Sequence, residues 1–422
     1  MPISQTELGR RVRAARESLG LTQEDAATAL ELARPAVAEI EAGRRVLSSL
    51  ELFRLASLYG RDMKEFLAPV YSDEDALRAV FRAQRGFEVD SSLQRTLLDW
   101  RNRARALTDL EALLDYPRRL CTAGAYPTAP LSSRWNAIQQ GELLAEEERG
   151  RLGLGRAPVG DLPMLLESQG IRTATVPLPD DVSGLTLQER GQDLLILVNR
   201  THALTRHRFS FAHEYAHVLM DRERGSIVSR AEDRNDLVEM RANSFAAGFL
   251  MPTEGVLEFV RERGKGQGSR ETAIVHDESD AEPVRVEGRS APGSQMLQTY
   301  DVIQAADHFG VSCVAMIYRF KTVGLLKQPQ VAALRAAEEA RWATELQKLI
   351  GDGVSSPSAD GPPAFQRRFI ATALEAYRRS LISRGKLVEL GALVELSDDQ
   401  IETLRDTAAQ IDEELDGVPS AT

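Results

Sequence analysis

Apolar residues at helical spacing dominate the sequence, and strand-like patterns are scarce. Residues 7–67 read as five short amphipathic helices, in which Thr22 is placed to cap the second and Pro35 stands in the first turn of the third. Two longer apolar helices are predicted, in the run FSFAHEYAHVLM at 209–220 and in VEMRANSFAAGFLMP at 238–252, where Pro252 ends the second. The pattern is typical of a mostly helical protein.

The first of these two longer helices contains two histidines four residues apart. His213 and His217 lie in the run FSFAHEYAHVLM, which has no Pro or Gly to break a helix. At this spacing the two imidazoles project from the same side, one turn apart, where they can grip one tetrahedral zinc ion. Glu214 between them can reach a water on the metal. The alternative for this short motif is a buried helix whose histidines are only packed.

The second longer helix offers a third ligand. Glu239 shares one helix face with Ala242, Asn243 and Ala246, because these positions are three and four residues apart. The small alanines would let this helix pack closely against the histidine helix and bring the Glu239 carboxylate to the metal. Two histidines and one glutamate leave a fourth position open for water, as in catalytic zinc sites. A solvated surface carboxylate is the other interpretation of Glu239.

The motifs together resemble the ImmA/IrrE family of zinc metallopeptidases. The resemblance spans about residues 160–326. It rests on the run at 206–220, the Glu-x-x-Ala-Asn pattern at 239–243 and the FAAGFLMP that follows. It implies one Zn²⁺ per chain in a zincin-like domain with a small sheet. It also places the strand-like LLILVNRTH at 194–202 at the edge of that sheet.

The chemistry expected from such a site is hydrolysis of a peptide bond. Zinc held by neutral imidazoles and one carboxylate acidifies its bound water and polarises the scissile carbonyl. Glu214 would take the proton of the water and later pass it to the leaving amine. Members of the resembled family destroy a repressor that is usually encoded beside them. The resemblance therefore implies a helix-turn-helix repressor as the protein substrate, and stress or phage-defence genes as the regulated targets.

The N-terminal helices resemble the XRE-type helix-turn-helix domain of phage and plasmid repressors. The order and spacing of the five helices and the run LTQED at 21–25 carry this resemblance. In that family the third helix enters the major groove of DNA. The candidate DNA contacts are Gln23, Arg34, Ala36, Arg44 and Arg45.

Charge weighs against strong DNA binding by a single copy. Residues 1–67 contain ten basic and ten acidic side chains, so the segment is neutral. DNA affinity comes largely from neutralising phosphates, and a neutral module binds weakly unless it dimerises. A docking or dimerisation module for proteins stays open as the alternative. The sequence does not decide between a monomer and a homodimer.

Cys121 precedes the predicted catalytic region in a stretch rich in proline and small residues. A thiolate is a good zinc ligand, and an open catalytic position invites one. Our hypothesis is that Cys121 fills the fourth position in a resting state, in a manner similar to the cysteine switch of matrix metallopeptidase propeptides. The other interpretation is an ordinary buried cysteine.

The expected fold class is α+β and mostly helical, in four parts. These are a five-helix helix-turn-helix domain at 1–70, a helical linker with an extended loop at 71–158, the peptidase domain at 159–328 and a helical C-terminal region at 329–422. The polar segment 262–294 is expected to be an irregular insertion. With 43% hydrophobic and 27% charged residues, no apolar run of membrane-spanning length and only two cysteines, the chain is expected to be cytoplasmic.

Two functions from different classes are compatible with the sequence. The first is a zinc-dependent regulatory endopeptidase that makes a specific cut in a partner repressor and so derepresses its genes. The second is a one-component transcription factor whose peptidase-like domain is a sensor. An intact ligand set and Glu214 favour the first, because a sensor has no need of a general base. The substrate, the cleaved bond and the activating signal are not encoded in a recognisable form.

Overall fold

The helical N-terminal part has the predicted five helices. We analysed a computed structural model that describes residues 3–18, 21–59, 61, 63–68, 91–116, 125–188, 194–222, 227–230, 232–266, 271–275, 284–288, 294–339, 364–397 and 399–404. The first five helices are α1 (Gln5–Ser18), α2 (Gln23–Leu30), α3 (Arg34–Glu41), α4 (Ser49–Leu58) and α5 (Met63–Leu67).

The start of α2 shows why these short helices form where they do. The hydroxyl of Thr22 accepts a hydrogen bond from the backbone nitrogen of Asp25, and the Asp25 carboxylate accepts one from the backbone of Thr22. This reciprocal cap satisfies donors that a helix end otherwise leaves unpaired. Pro35 lies in the first turn of α3, as predicted.

The remaining elements are helices, a four-stranded sheet and a two-stranded hairpin. In chain order they are α6 (Ser91–Leu113), α7 (Arg134–Arg151), α8 (Leu162–Ser168), β1 (Ile171–Val176), β2 (Val182–Gln188), β3 (Leu194–Asn199), α9 (Leu204–Met220), β4 (Ile227–Arg230), a 3₁₀ turn (Glu232–Asn235), α10 (Leu237–Leu250), α11 (Thr253–Glu262), β5 (Glu271–Val275), β6 (Val284–Gly288), α12 (Thr299–Phe309), α13 (Cys313–Thr322), α14 (Gln328–Glu339), α15 (Ala364–Arg378) and α16 (Arg384–Leu393). The fold class is α+β and mostly helical, which confirms the prediction.

Strand β3 lies inside the sheet, and the expectation that it forms an edge is wrong. The strand order is β1-β3-β2-β4, with β1 parallel and β2 antiparallel to β3. All six residues of β3 are buried. A strand of continuous apolar residues, LLILVN, needs cover on both faces and a partner on both sides, which an edge position does not supply.

The two faces of this sheet belong to two different apolar clusters. On one face Ile196 and Val198 of β3 pack with Phe211 and Tyr215 of α9. On the other face the leucines of β2 and β3 join a cluster that includes the buried core of the helix-turn-helix region. The apolar core of the N-terminal helices is therefore continuous with the outer face of the sheet.

Helix α10 is held against α7 by small residues. An ideal Cβ on Gly141 of α7 would meet the carbonyl oxygen of Arg241 and would lie 2.8 Å from the backbone nitrogen of Phe245. Gly248 of α10 comes similarly close to Ala145 of α7. Because the two helices approach this closely, their contact fixes the position of α10.

The segment 262–294 is not wholly irregular. Strands β5 and β6 pair as an antiparallel hairpin with Val275 opposite Val284. Both strands contain β-branched residues at ETAIV and VRVEG, which favour extended structure despite the surrounding glycines and charges. The expectation of a segment without regular structure is therefore corrected for these ten residues.

The C-terminal helices pack against α6. Leu107 and Leu110 of α6 share an apolar cluster with Phe365 and Phe369 of α15. The two parts predicted as linker and tail thus contact each other. Among the described residues, no helix is both long enough and apolar enough to span a membrane.

We predict that Gly141→Ala destabilises the protein by about 1–3 kcal/mol, because the added methyl group overpacks the contact between α7 and α10. Gly150→Ala in the same helix is the control, since a Cβ there meets nothing within 4 Å. That control should leave the free energy of unfolding unchanged or raise it by up to about 1 kcal/mol. Urea unfolding followed by circular dichroism measures both, and equal stability of the two variants would contradict the prediction.

Candidate metal centre

Three polar side chains from α9 and α10 converge in the buried space between these helices. His213 Nε2 lies 3.0 Å from Glu239 Oε2, and His217 Nε2 lies 3.4 Å from Glu239 Oε1. The two Nε2 atoms are 3.2 Å apart. All three residues are buried, and their donor atoms lie within 4.8 Å of one another. The structure therefore brings together the three residues that were predicted as metal ligands.

The other nitrogen of each imidazole faces an oxygen. His213 Nδ1 lies 3.0 Å from Asn243 Oδ1, and His217 Nδ1 lies 2.9 Å from Asp221 Oδ2. Since a carboxylate accepts only, His217 donates from Nδ1, and the Asn243 amide oxygen sets the same tautomer for His213. The lone pairs of both neutral rings then lie on Nε2, where they face each other and Glu239.

This donor arrangement fits a bound cation. Two nitrogen lone pairs and one carboxylate repel each other in a buried space unless a positive charge lies among them. The space favours a positive charge: burial disfavours a charge on His217, yet the hydrogen bonds that its protonated ring makes with Asp221 and Glu239 raise its pKa to about 10. Burial likewise favours a neutral Glu239, but the hydrogen bonds with both histidines keep its pKa well below the ordinary value. Imidazole and carboxylate are ligands that suit zinc, so the three residues could hold Zn²⁺.

Asp221 and Arg241 extend the support of the centre. Arg241 donates to Asp221 Oδ1 at 2.6 Å, while Asp221 Oδ2 faces His217. Burial alone would raise the pKa of Asp221, but its contacts with His217 and Arg241 lower it. Metal-bound histidines commonly carry such a carboxylate on the other ring nitrogen, because it fixes the ring orientation.

Glu214 lies beside the centre with one oxygen held and one oxygen without a hydrogen bond. Thr186 Oγ1 of β2 donates to Glu214 Oε2 at 2.9 Å. Glu214 is fully buried, and its Oε1 has no hydrogen-bond partner among the described residues. Burial raises the pKa of Glu214, while His213, His217 and the Ser229 hydroxyl act in the opposite direction.

The candidate DNA contacts on α2 and α3 have different surroundings. Gln23 donates to Glu41 at 2.9 Å, and Glu41 also forms a buried ion pair with Arg16. This network ties the start of α2 to α3, so the amide of Gln23 contacts the protein in this structure. Arg34 is exposed at the start of α3, and Ala36 is half-buried on the same helix.

The two arginines after α3 both form ion pairs. Arg44 donates to Glu39 at 2.7 Å in an exposed pair, and Arg45 donates to Glu51 at 2.7 Å. An exposed pair of this kind exchanges partners at little cost, so Arg44 is available for a phosphate. Of these residues, Arg34 is the exposed cation on the helix expected to enter the groove.

Several residues around the centre were not identified from the sequence. Asp221 could have been found, because it follows His217 by four residues on the same helix face. Arg241 and Thr186 could not, since their roles depend on how α10 and β2 are placed in three dimensions. Cys121, the predicted inhibitory ligand, lies outside the described residues.

We predict that Asn243→Ala and Asp221→Ala each weaken zinc affinity by about tenfold to a hundredfold, because each removes the oxygen that orients a ligating imidazole. Competition with a chromophoric chelator measures the affinity. Glu232→Gln is the control, because it removes an exposed carboxylate from the turn before α10 and should leave zinc affinity unchanged. Wild-type affinity in both of the first two variants would show that the imidazoles do not need these partners.

The comparisons with known proteins agree with both predicted domains. Residues 166–276 match the IrrE N-terminal-like domain of the M78 peptidases, and residues 12–66 match a helix-turn-helix domain. No curated protein matches the chain. The first match contains all three residues of the buried cluster as well as Glu214. The chain thus carries a metallopeptidase-type domain of the IrrE-like M78 kind behind an XRE-type helix-turn-helix domain.

Proposed function

We propose that this protein is a zinc-dependent regulatory endopeptidase that makes a specific cut in a helix-turn-helix repressor. The observation that carries the proposal is the buried cluster of His213, His217 and Glu239, with both Nδ1 atoms engaged by oxygens. Such a cluster leaves room for one cation and for a further ligand. Glu214 lies next to it, where a sensor domain would need no base.

The four residues divide the work of hydrolysis. A zinc ion bound there would supply Lewis-acid chemistry, acidifying a water molecule and polarising the scissile carbonyl. His213, His217 and Glu239 would hold the ion. Glu214 accepts the proton of the attacking water at Oε1 and delivers it to the leaving amine, because Oε2 is already engaged by Thr186. Its burial keeps it a stronger base than an exposed carboxylate.

We further propose that the N-terminal domain restricts the peptidase to its target. A domain of residues 1–70 selects DNA or the partner repressor, and the peptidase domain of residues 159–328 cuts the repressor. These two domains are held in place by the linker of residues 71–158 and the C-terminal region of residues 329–422. The packing of α15 on α6 agrees with this role. Loss of the repressor would then derepress stress or phage-defence genes.

We predict that Glu214→Gln binds zinc like the wild type but cleaves its repressor about a hundredfold to ten-thousandfold more slowly, since the amide cannot accept the proton. The proposed substrate is a helix-turn-helix repressor encoded beside the gene, and its cleavage is followed by gel electrophoresis and mass spectrometry. Glu232→Gln, an exposed acid-to-amide change, is the control and should cleave normally. A zinc-loaded wild type that cuts no repressor would favour the transcription factor with a sensor domain.

We predict that Arg34→Ala weakens DNA binding about tenfold, because it removes a cation from the helix expected to face the groove. The slope of log affinity against log salt concentration should become shallower by about one. Fluorescence anisotropy with a duplex from the promoter of the repressor gene measures the affinity at several salt concentrations. Arg13→Ala is the control, because it removes an exposed arginine that lies on α1 and not on α3. If the two variants bind alike, α3 does not contact DNA in the predicted way.

A further inference from the structure

The Glu214 side chain lies against the inner face of the sheet, on a surface that we call its seat. The seat consists of Gly184 and Thr186 of β2 and Ser229 of β4. Thr186 and Gly184 are two apart on β2, so they point to the same face. Gly184 pairs with Ser229 of β4 and with Val198 of β3, and residues that pair directly lie on one face. Val198 packs against α9, which identifies this face as the one toward the metal centre.

The hydroxyl of Thr186 holds one oxygen of the carboxylate. Thr186 is buried, and its Oγ1 lies 2.9 Å from Glu214 Oε2 but 3.4 Å from the Glu214 carbonyl oxygen. A hydroxyl has one proton, so the shorter contact is the hydrogen bond and the longer one is a close approach. A hydrogen bond to a carboxylate in a buried space is strong and directional.

Gly184 leaves space for the other oxygen. An ideal Cβ at this position would lie 2.8 Å from Glu214 Oε1 and 3.0 Å from its Cγ. Non-bonded atoms do not approach this closely unless one of them moves. Any side chain at position 184 would therefore push the Glu214 carboxylate away from β2. The glycine has no left-handed backbone angle in this structure, and its lack of a side chain is what the site uses.

Ser229 completes the seat. It is buried, and its hydroxyl oxygen has no hydrogen-bond partner within the part of the chain that the structure describes. Ser229 pairs directly with Gly184, so it lies on the same face of the sheet, beside the space that Glu214 Oε1 occupies. The seat therefore offers one hydrogen bond already made, to Oε2, and a second hydroxyl nearby.

We propose that Thr186 is a positioning residue for the general base, and that the absence of a side chain at Gly184 leaves space for Glu214 Oε1, so that the carboxylate keeps the rotation in which Oε2 bonds to Thr186. This inference rests on the proposed peptidase function. In this arrangement Thr186 touches no reacting atom. It fixes the rotation of the carboxylate by binding Oε2, while Oε1 lies over Gly184 and has no hydrogen-bond partner among the described residues.

The test compares Thr186→Val, which keeps the shape and loses the hydroxyl, with Thr186→Ser, which keeps the hydroxyl. Thr173→Val is the matched control, because Thr173 is also a buried threonine of this sheet whose hydroxyl donates to a carboxylate, that of Glu167, at 3.2 Å. Substrates are internally quenched fluorescent peptides, selected from a mixture library by cleavage with the wild type. Zinc content and melting temperature are measured for each variant.

We expect Thr186→Val to bind zinc fully and to lose about tenfold to a hundredfold in kcat, the effect of a hydrogen bond to a charged group, with KM unchanged. Thr186→Ser should recover most of this loss. Thr173→Val should show a similar fall in melting temperature with a normal kcat. Gly184→Ala should lower kcat like Thr186→Val, because the added methyl group displaces the carboxylate.

Equal kcat values in Thr186→Val and Thr173→Val, or a serine variant as slow as the valine variant, would overturn the proposal. If the zinc-loaded wild type cleaves no peptide and no repressor, the proposed peptidase function is wrong. The role of Thr186 in orienting the Glu214 carboxylate is then tested by structure alone. A crystal structure of zinc-loaded Thr186→Val then decides. A carboxylate of Glu214 that rotates relative to the wild type supports the positioning, and an unmoved carboxylate refutes it.

Discussion

The convergence of two imidazole nitrogens and one carboxylate in a buried space is the constraint on which the rest of the structure depends. His213 and His217 are brought together by one helix turn, but Glu239 has to come from another helix. The electrostatic cost of such a cluster is high unless a cation occupies it. The surrounding structure therefore serves two purposes: it holds the three donors close together, and it fixes which nitrogen of each ring faces the centre.

Packing holds the three donors close together, and hydrogen bonding fixes which nitrogen of each ring faces the centre. The close contact of α7 with α10 through Gly141 and Gly248 sets the position of the helix that carries Glu239. Asn243 and Asp221 then set the tautomers, and Arg241 keeps Asp221 charged. A methyl group added at Gly141 would collide with the backbone of α10, the helix that carries Glu239. The small residues of α7 are thus as necessary for the geometry of the centre as its polar residues.

The sequence predicts local features well, because helical spacing determines which side chains share a face. The five N-terminal helices, the cap at Thr22 and the pair His213–His217 all follow from spacings of three or four residues. The order of strands does not follow, since a run such as LLILVN shows that a strand is buried but not which strands are its neighbours. For the same reason the seat of Glu214 could not be predicted: Gly184 and Ser229 are 45 residues apart in sequence and meet only through strand pairing.

Strand β2 connects the two domains physically, because its two faces contact different partners. Thr186 and Gly184 face Glu214. The alternate residues Leu185 and Leu187 point to the opposite face, toward the apolar cluster that includes the helix-turn-helix core. In a strand, alternate side chains are rigidly linked by one backbone, so a shift of the strand on one face also shifts the other. The hydrogen bond from Thr186 to Glu214 is sensitive to displacements well below 1 Å, because its strength falls steeply with distance and angle. The apolar packing on the outer face of the sheet is therefore part of what sets the orientation of the base.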